Sequence, residues 1–85
     1  VIDAVLGAGA RGEPRPPIPA ALDALRRLGA PVLAADVPSG LGTAQVLPAR
    51  FTVCFQAAKR ELLGSPATAE FSTVDIGLDP RAWLE

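Results

Sequence analysis

Four places in the chain carry residues able to do chemistry. Gly7-Ala8-Gly9-Ala10-Arg11-Gly12 closes a short apolar run and spells G-x-G-x-x-G. Glycines at that spacing let backbone N–H groups close around an anion such as a phosphate. Asp36 opens Asp36-Val37-Pro38-Ser39-Gly40 at the end of a second apolar run. A carboxylate at the carboxyl end of a parallel strand faces the crevice where α/β proteins bind ligands. Pro38 and Gly40 set a tight turn that brings the Ser39 hydroxyl beside it. Asp3 interrupts Val1-Ile2-Asp3-Ala4-Val5-Leu6, and a buried carboxylate must be paired or bind a cation. Lys59, the only lysine, follows a third apolar run.

Each place has a plainer reading. Gly7 to Gly12 also serves as a flexible loop, or as a true dinucleotide fingerprint with Asp36, 24 residues after Gly12, as its ribose-binding acid. The fingerprint needs a helix that starts inside the glycine turn, so that its N-terminus faces the pyrophosphate. Glu13-Pro14-Arg15-Pro16-Pro17 stands in the way, because a residue before proline is pushed out of helical geometry. The sequence therefore predicts a phosphate-cradling loop up to about Pro17. Asp36 and Ser39 also suit a turn whose side chains bond only backbone. Asp3 also suits an edge strand facing water, and Lys59 a solvated loop. Cys54, within an apolar strand, reads as an inert core thiol. Trp83 and the Phe51, Val53, Phe55 stripe read as packing residues.

These residues need a scaffold. Val1 to Leu6 is short, apolar and closed by glycine, the pattern of a buried strand. Ile18, Ala21, Leu22, Leu25 and Leu28 form one helical stripe. Pro19 is tolerated in its first turn, Arg26 and Arg27 suit its last turn, and Gly29 stops it. Pro31 to Val37, Phe51 to Phe55 and Phe71 to Ile76 are the further predicted strands. Asp79 and Pro80 suit the start of a last short helix. Strand, helix, strand within about 37 residues is a βαβ unit with parallel strands and a right-handed crossover. The predicted fold is α/β, a Rossmann-like three-layer αβα with a mainly parallel sheet. One helix is too little cover for four strands, so residues 1–85 are expected to be part of a domain.

Composition narrows the function. The chain has 85 residues, 49% of them hydrophobic, with 8 basic and 9 acidic side chains and a net charge of −1. That is at most one small domain. The balance gives no basic footprint for nucleic acid. No apolar run reaches the roughly 18 residues of a membrane span. One cysteine and no histidine exclude an internal disulfide, a structural zinc site and a Ser-His-Asp triad. A reducing, cytoplasmic compartment is expected. The chain holds no Met and opens directly in an apolar run, as a fragment would.

Taken together, the segments resemble the NAD(P)H-hydrate epimerase family, the YjeF N-terminal domain. The pieces that match are Asp3-Ala4-Val5-Leu6-Gly7-Ala8-Gly9, Gly29-Ala30-Pro31-Val32, Ala35-Asp36-Val37-Pro38-Ser39-Gly40-Leu41, Ala49-Arg50-Phe51-Thr52-Val53-Cys54-Phe55 with Lys59, and Val74-Asp75-Ile76-Gly77. Their order fits the C-terminal part of that domain, with the N-terminal half absent. The resemblance implies an isomerase that interconverts the R and S forms of hydrated NADH and NADPH, a repair of damaged cofactor. It implies that Gly7, Ala8, Gly9, Ala10, Arg11, Gly12 and Glu13 line the substrate. It implies Asp36 as substrate contact and acid–base catalyst, and Lys59 as a further catalytic residue. On physical grounds one carboxylate can serve as both acid and base if burial raises its pKa, as expected of Asp36 beside apolar neighbours. It implies Asp3 and Ser39 as oxygen ligands of a potassium ion, a fused or separate ADP- or ATP-dependent dehydratase as partner, and a homodimer.

The chain departs from the family pattern at three points. Ala8 stands where a threonine is usual, Gly42-Thr43-Ala44-Gln45 is short and lacks a carboxylate, and Arg60-Glu61 replaces Pro-Gly. The family's asparagine- and glycine-rich motif belongs to the N-terminal half, and this chain has no Asn. The 85-residue piece is therefore expected to be inactive alone. Two rival readings remain: a non-catalytic scaffold of the same fold, and an NAD(P)-dependent oxidoreductase using Gly7, Gly9 and Gly12. The oxidoreductase predicts a helix from near Arg11; the epimerase predicts a loop there.

Overall fold

A computed structural model describes residues 1–78. In chain order the elements are β1 (Ile2–Asp3), α1 (Ile18–Arg27), β2 (Leu33–Ala35), β3 (Ala49–Phe55), a 3-10 turn at Arg60–Leu62, and β4 (Thr68–Val74). The strands form one sheet in the order β1-β2-β3-β4, and every neighbouring pair is parallel. The parallel α/β architecture expected from the sequence is present. The helix proposed to open at Asp79 and Pro80, and Trp83 with it, lie outside the described residues.

Helix α1 starts at Ile18, as the prolines dictate, with Pro19 in its first turn and Arg26 and Arg27 in its last. Gly29 follows with φ 66°, the left-handed geometry that ends a helix at little cost. Leu22 is fully buried against Val32, Ala34, Leu47 and Ala49, with Ile18 and Leu25 packed around it. Arg26 reaches over to the Val46 carbonyl at 2.9 Å and fastens the helix end to the segment before β3. Asp23 pairs with Arg27 at 2.7 Å on the exposed surface. Such a pair contributes only about 0.3–0.5 kcal/mol, so α1 is held by Leu22 and its neighbours rather than by charge.

All four strands differ in their bounds from the sequence reading; β3 begins at Ala49 rather than Phe51, and three other differences have a local reason. β1 stops at Asp3 because the Asp3 carboxylate takes the Val5 N–H at 3.2 Å and turns the chain. β2 stops at Ala35 because Asp36 adopts φ 74°. β4 begins at Thr68 rather than Phe71, since Ala49 of β3 already pairs with Thr68.

Register sets the two faces of the sheet. Asp3, Ala34 and Thr52 are neighbours in one row, on the face that also carries Cys54, and all four are fully buried. The row beside it, Ile2, Leu33 and Phe51, points to the opposite face. Ile2 there is 71% exposed, and Leu33, Phe55 and Val74 are also open. Parallel sheets are normally covered on both faces. Among the described residues, one face is covered and the other still carries apolar side chains.

Candidate functional site

The carboxyl ends of the strands gather the chemistry. Asp3 is the last residue of β1, and Asp36 follows the last residue of β2. The loops after β1, β2 and β3 enclose a cavity of about 380 Å³. Its walls are Leu6, Gly7, Ala8, Ala10, Arg11, Gly12 and Glu13 from the first loop, Val37, Pro38, Gly40, Leu41, Gly42 and Thr43 from the second, and Lys59 and Glu61 from the third. A wider hollow of about 610 Å³ lies against Ile2, Leu33 and Phe51 on the open sheet face. It gathers few convergent polar groups, so the smaller cavity at the strand ends is the candidate site.

The stretch from Gly7 to Pro17 contains no helix, and α1 begins at Ile18. The dinucleotide-fingerprint geometry, with a helix opening at the glycines, is therefore not what this loop adopts. The oxidoreductase reading loses its structural premise. Of the loop residues expected to meet a ligand, Gly7, Ala8, Ala10, Arg11, Gly12 and Glu13 line the cavity and Gly9 does not. Leu6, Leu41, Thr43 and Glu61 line it too and were missed. Thr43 lies in a loop the sequence marked only as short, and nothing in the pattern around Glu61 pointed to a site.

Asp3 and Ser39 lie together, both fully buried, and neither lines the cavity itself. The Ser39 hydroxyl donates to Asp3 Oδ1 at 2.5 Å, and the Ser39 N–H donates to Oδ2 at 2.8 Å. Leu6 N–H donates to the Ser39 hydroxyl at 2.8 Å. This network bolts the loop after β1 to the turn after β2, the two main walls of the cavity. Gly40 completes the turn with φ 79°, and a Cβ there would sit 2.9 Å from the Gln45 carbonyl oxygen. Only glycine satisfies both the conformation and the space.

Asp36 sits at a strained corner. Its φ is 74°, and Val37 N–H donates to the Ala35 carbonyl at 3.0 Å, closing a three-residue γ-turn around it. Asp36 N–H still reaches Val53 of β3 at 2.7 Å. Strain of this kind costs on the order of 1–3 kcal/mol and persists where the surroundings over-determine it. Gln56 repeats the device one strand over, with φ 68° and Ala57 N–H bonded to Phe55 O at 2.8 Å. In both corners the side-chain oxygen accepts from a backbone amide at or just past the end of the neighbouring strand. Phe55 N–H donates to Asp36 Oδ1 at 3.2 Å, and Ile76 N–H donates to Gln56 Oε1 at 2.9 Å. Sequence reading singled out Asp36 and passed over its counterpart Gln56.

Lys59 lines the cavity, and its ammonium lies 2.9 Å from Asp36 Oδ1. Asp36 itself flanks the cavity behind that contact, with 15% of its side chain exposed. Burial works to raise the Asp36 pKa. The Lys59 hydrogen bond and charge, with the backbone amides of Phe55 and Ala8, outweigh it and hold the group below its ordinary value. The expectation of a raised pKa is thus corrected, because the ion pair was not visible in the sequence. Cys54 is fully buried, with its thiol pushed up mainly by burial, which fits the inert core role expected of it. Asp36 is a carboxylate that accepts a proton before it can return one.

Residues 1–61 match the family described as YjeF-related protein N-terminus. The chain is 42% identical over 89 residues to the bifunctional NAD(P)H-hydrate repair enzyme of Hyperthermus butylicus, covering 96% of this chain and 17% of that protein. It is 38% identical over 96 residues to the NAD(P)H-hydrate epimerase of Clavibacter michiganensis, covering 93% and 42%. It is 36% identical over 93 residues to the bifunctional NAD(P)H-hydrate repair enzyme of Escherichia coli, covering 99% and 18%. The chain thus spans less than half the length of each of these relatives. No solved structure matches it.

Proposed function

Since the chain belongs to the family of YjeF-related protein N-termini, we propose that it supplies the carboxyl-end half of a site that epimerises hydrated NADH and NADPH. The observation that carries the reading is the Asp36 carboxylate, ionised by Lys59 and held at a strained corner beside a glycine-lined cavity. Gly7 to Glu13 would present backbone N–H groups to the phosphates, and Arg11 would add a charge. The cavity's size lies at the lower end of the ~300–1,000 Å³ usual for small-molecule pockets, suited to one part of a dinucleotide.

The chemistry follows from a base of lowered pKa. Asp36 takes the hydroxyl proton on the carbon beside the ring nitrogen. The carbon–nitrogen bond opens as the carbonyl forms, and its electron pair goes to the nitrogen. After rotation the nitrogen closes on the other face of the carbonyl, and the proton returns from Asp36 to oxygen. One carboxylate serves as base and then as acid.

A potassium ion belongs to the reading. Asp3 is fully buried, its three hydrogen-bond donors are neutral groups, and no cationic side chain among the described residues pairs with it. A carboxylate so placed suits a bound cation, and with Ser39 Oγ it offers the oxygen donors that a hard cation prefers. The ion would stiffen the junction of the two loops. Enzymatic partnership with a dehydratase, fused or separate, and action in the cytoplasm complete the proposal. No described helix is long and apolar enough to cross a membrane.

The test uses the full-length protein, the R epimer of hydrated NADH and an S-specific dehydratase. Faster recovery of NADH in its presence supports an epimerase. Unchanged recovery with a folded protein leaves the non-catalytic scaffold reading instead.

A further inference from the structure

The Lys59 ammonium has three hydrogens and, at hydrogen-bond distance, three protein oxygens. Asp36 Oδ1 lies at 2.9 Å, the Phe55 carbonyl at 3.0 Å and the Ala57 carbonyl at 3.0 Å. Phe55 and Ala57 are the two ends of the γ-turn around Gln56. Lys59 therefore ties the β2 corner, through Asp36, to both limbs of the β3 corner. On the carboxylate, Oδ1 holds both the Lys59 contact and the Phe55 N–H, whereas among the described residues Oδ2 makes no hydrogen bond of ordinary geometry. A lysine that touched substrate needs a free N–H, and this one has none.

We infer that Lys59 is a positioning residue that clamps Asp36 by Oδ1 and leaves Oδ2 as the oxygen that exchanges the proton. The stem of Lys59 forms cavity wall while its charge stays with the protein. This rests on the epimerase reading and goes beyond it by separating the role of Lys59 from that of the catalytic carboxylate. The groups facing Asp36 are Lys59 from the loop after β3, Cys54 from β3, and the amides of Phe55 and Ala8. Lys59 is the only cation among them. Its removal leaves burial to act on Asp36 with two amides in opposition, so the carboxylate titrates at higher pH.

The experiment measures kcat and KM of the full-length protein against pH, for wild type, Lys59→Met, Lys59→Arg and Asp36→Asn. Lys59→Met is expected to lower kcat on the order of 10–100-fold with KM within about twofold, as misplacement of a catalytic group does. The acid limb of kcat should move up by roughly one pH unit or more, the size of a lost neighbouring charge. Lys59→Arg keeps the charge but not the three-point fit. It should leave the limb near wild type with a smaller loss of kcat, and it supplies the comparison if Lys59→Met does not fold. A raised KM with an unmoved acid limb in Lys59→Met, or a raised KM in Lys59→Arg, overturns the inference and makes Lys59 a substrate contact. Activity that survives in Asp36→Asn instead defeats the underlying reading of Asp36, a separate result.

Discussion

Replacing Asp3 with alanine removes the acceptor of three hydrogen bonds at once, from Val5 N–H, Ser39 N–H and the Ser39 hydroxyl. The hydroxyl can rotate toward another acceptor, but the two amides cannot. Ser39 is fully buried and the Val5 bond partly so. Leaving a buried donor unmade costs about 1–3 kcal/mol, so two of them cost roughly 2–6 kcal/mol together, toward the lower end because the Val5 amide is only partly buried. That is a large part of the ~5–15 kcal/mol that holds a typical domain folded. Asp3→Asn keeps one acceptor oxygen, which can serve one amide while its NH2 meets the other donors, so its cost should be about 1–3 kcal/mol. The assay is urea unfolding followed by circular dichroism, together with hydrogen exchange at the Ser39 amide. The order expected is wild type, then Asn, then Ala, with Ser39 exchange faster in the same order. An alanine variant within about 1 kcal/mol of wild type, or unchanged Ser39 exchange, would refute the claim that this network joins the two loops.

Other outcomes follow from single contacts. Leu22→Ala, at a fully buried position, should lower stability by about 2–5 kcal/mol in urea unfolding. Gly40→Ala must both hold φ 79° and meet the Gln45 carbonyl, so a loss of roughly 1–3 kcal/mol is expected in thermal melts, with perturbed amide signals at Gln45 and Val46. Asp36 has its pKa depressed in the fold, so its contribution to stability is present above its unfolded value of about 3.8 and is lost as pH falls through the lower folded value. An acid titration by NMR should place the Asp36 carboxyl midpoint below 3.8, and a midpoint above it contradicts the ion-pair geometry. Potassium should raise the melting temperature of wild type more than tetramethylammonium does at equal ionic strength, and Asp3→Asn should remove the difference.

Much of the scaffold was legible because it rests on local rules. The prolines before Ile18 forbid an earlier helix, and the apolar stripe through Leu22 and Leu25 fixes which face packs. The strand order along the chain follows from βαβ succession. The strand ends were not legible, since they depend on side chains folding back on their own backbone. Asp3 takes Val5 N–H, and Asp36 enters the left-handed region. That Asp36, Ser39, Asp3 and the glycine loop gather at the strand ends was legible in outline, because each follows or ends an apolar run. The Asp36 pKa was misjudged because burial acts on a residue alone, whereas Lys59 lies 23 positions away in sequence and 2.9 Å away in space. Gln56 was missed for a related reason. A left-handed glutamine leaves no mark in composition, and only the carbonyl ladder shows that it matches Asp36.

The most direct test of the central claim is the approach to equilibrium between the two epimers, followed by chromatography from each pure form. The full-length wild-type protein and its Asp36→Asn variant are compared at a pH well above the carboxyl range. The account predicts rapid interconversion from either side with wild type. It predicts loss on the order of 10²–10⁴-fold with Asp36→Asn, the scale of a general acid–base contribution. Equal rates for the two folded proteins would contradict it.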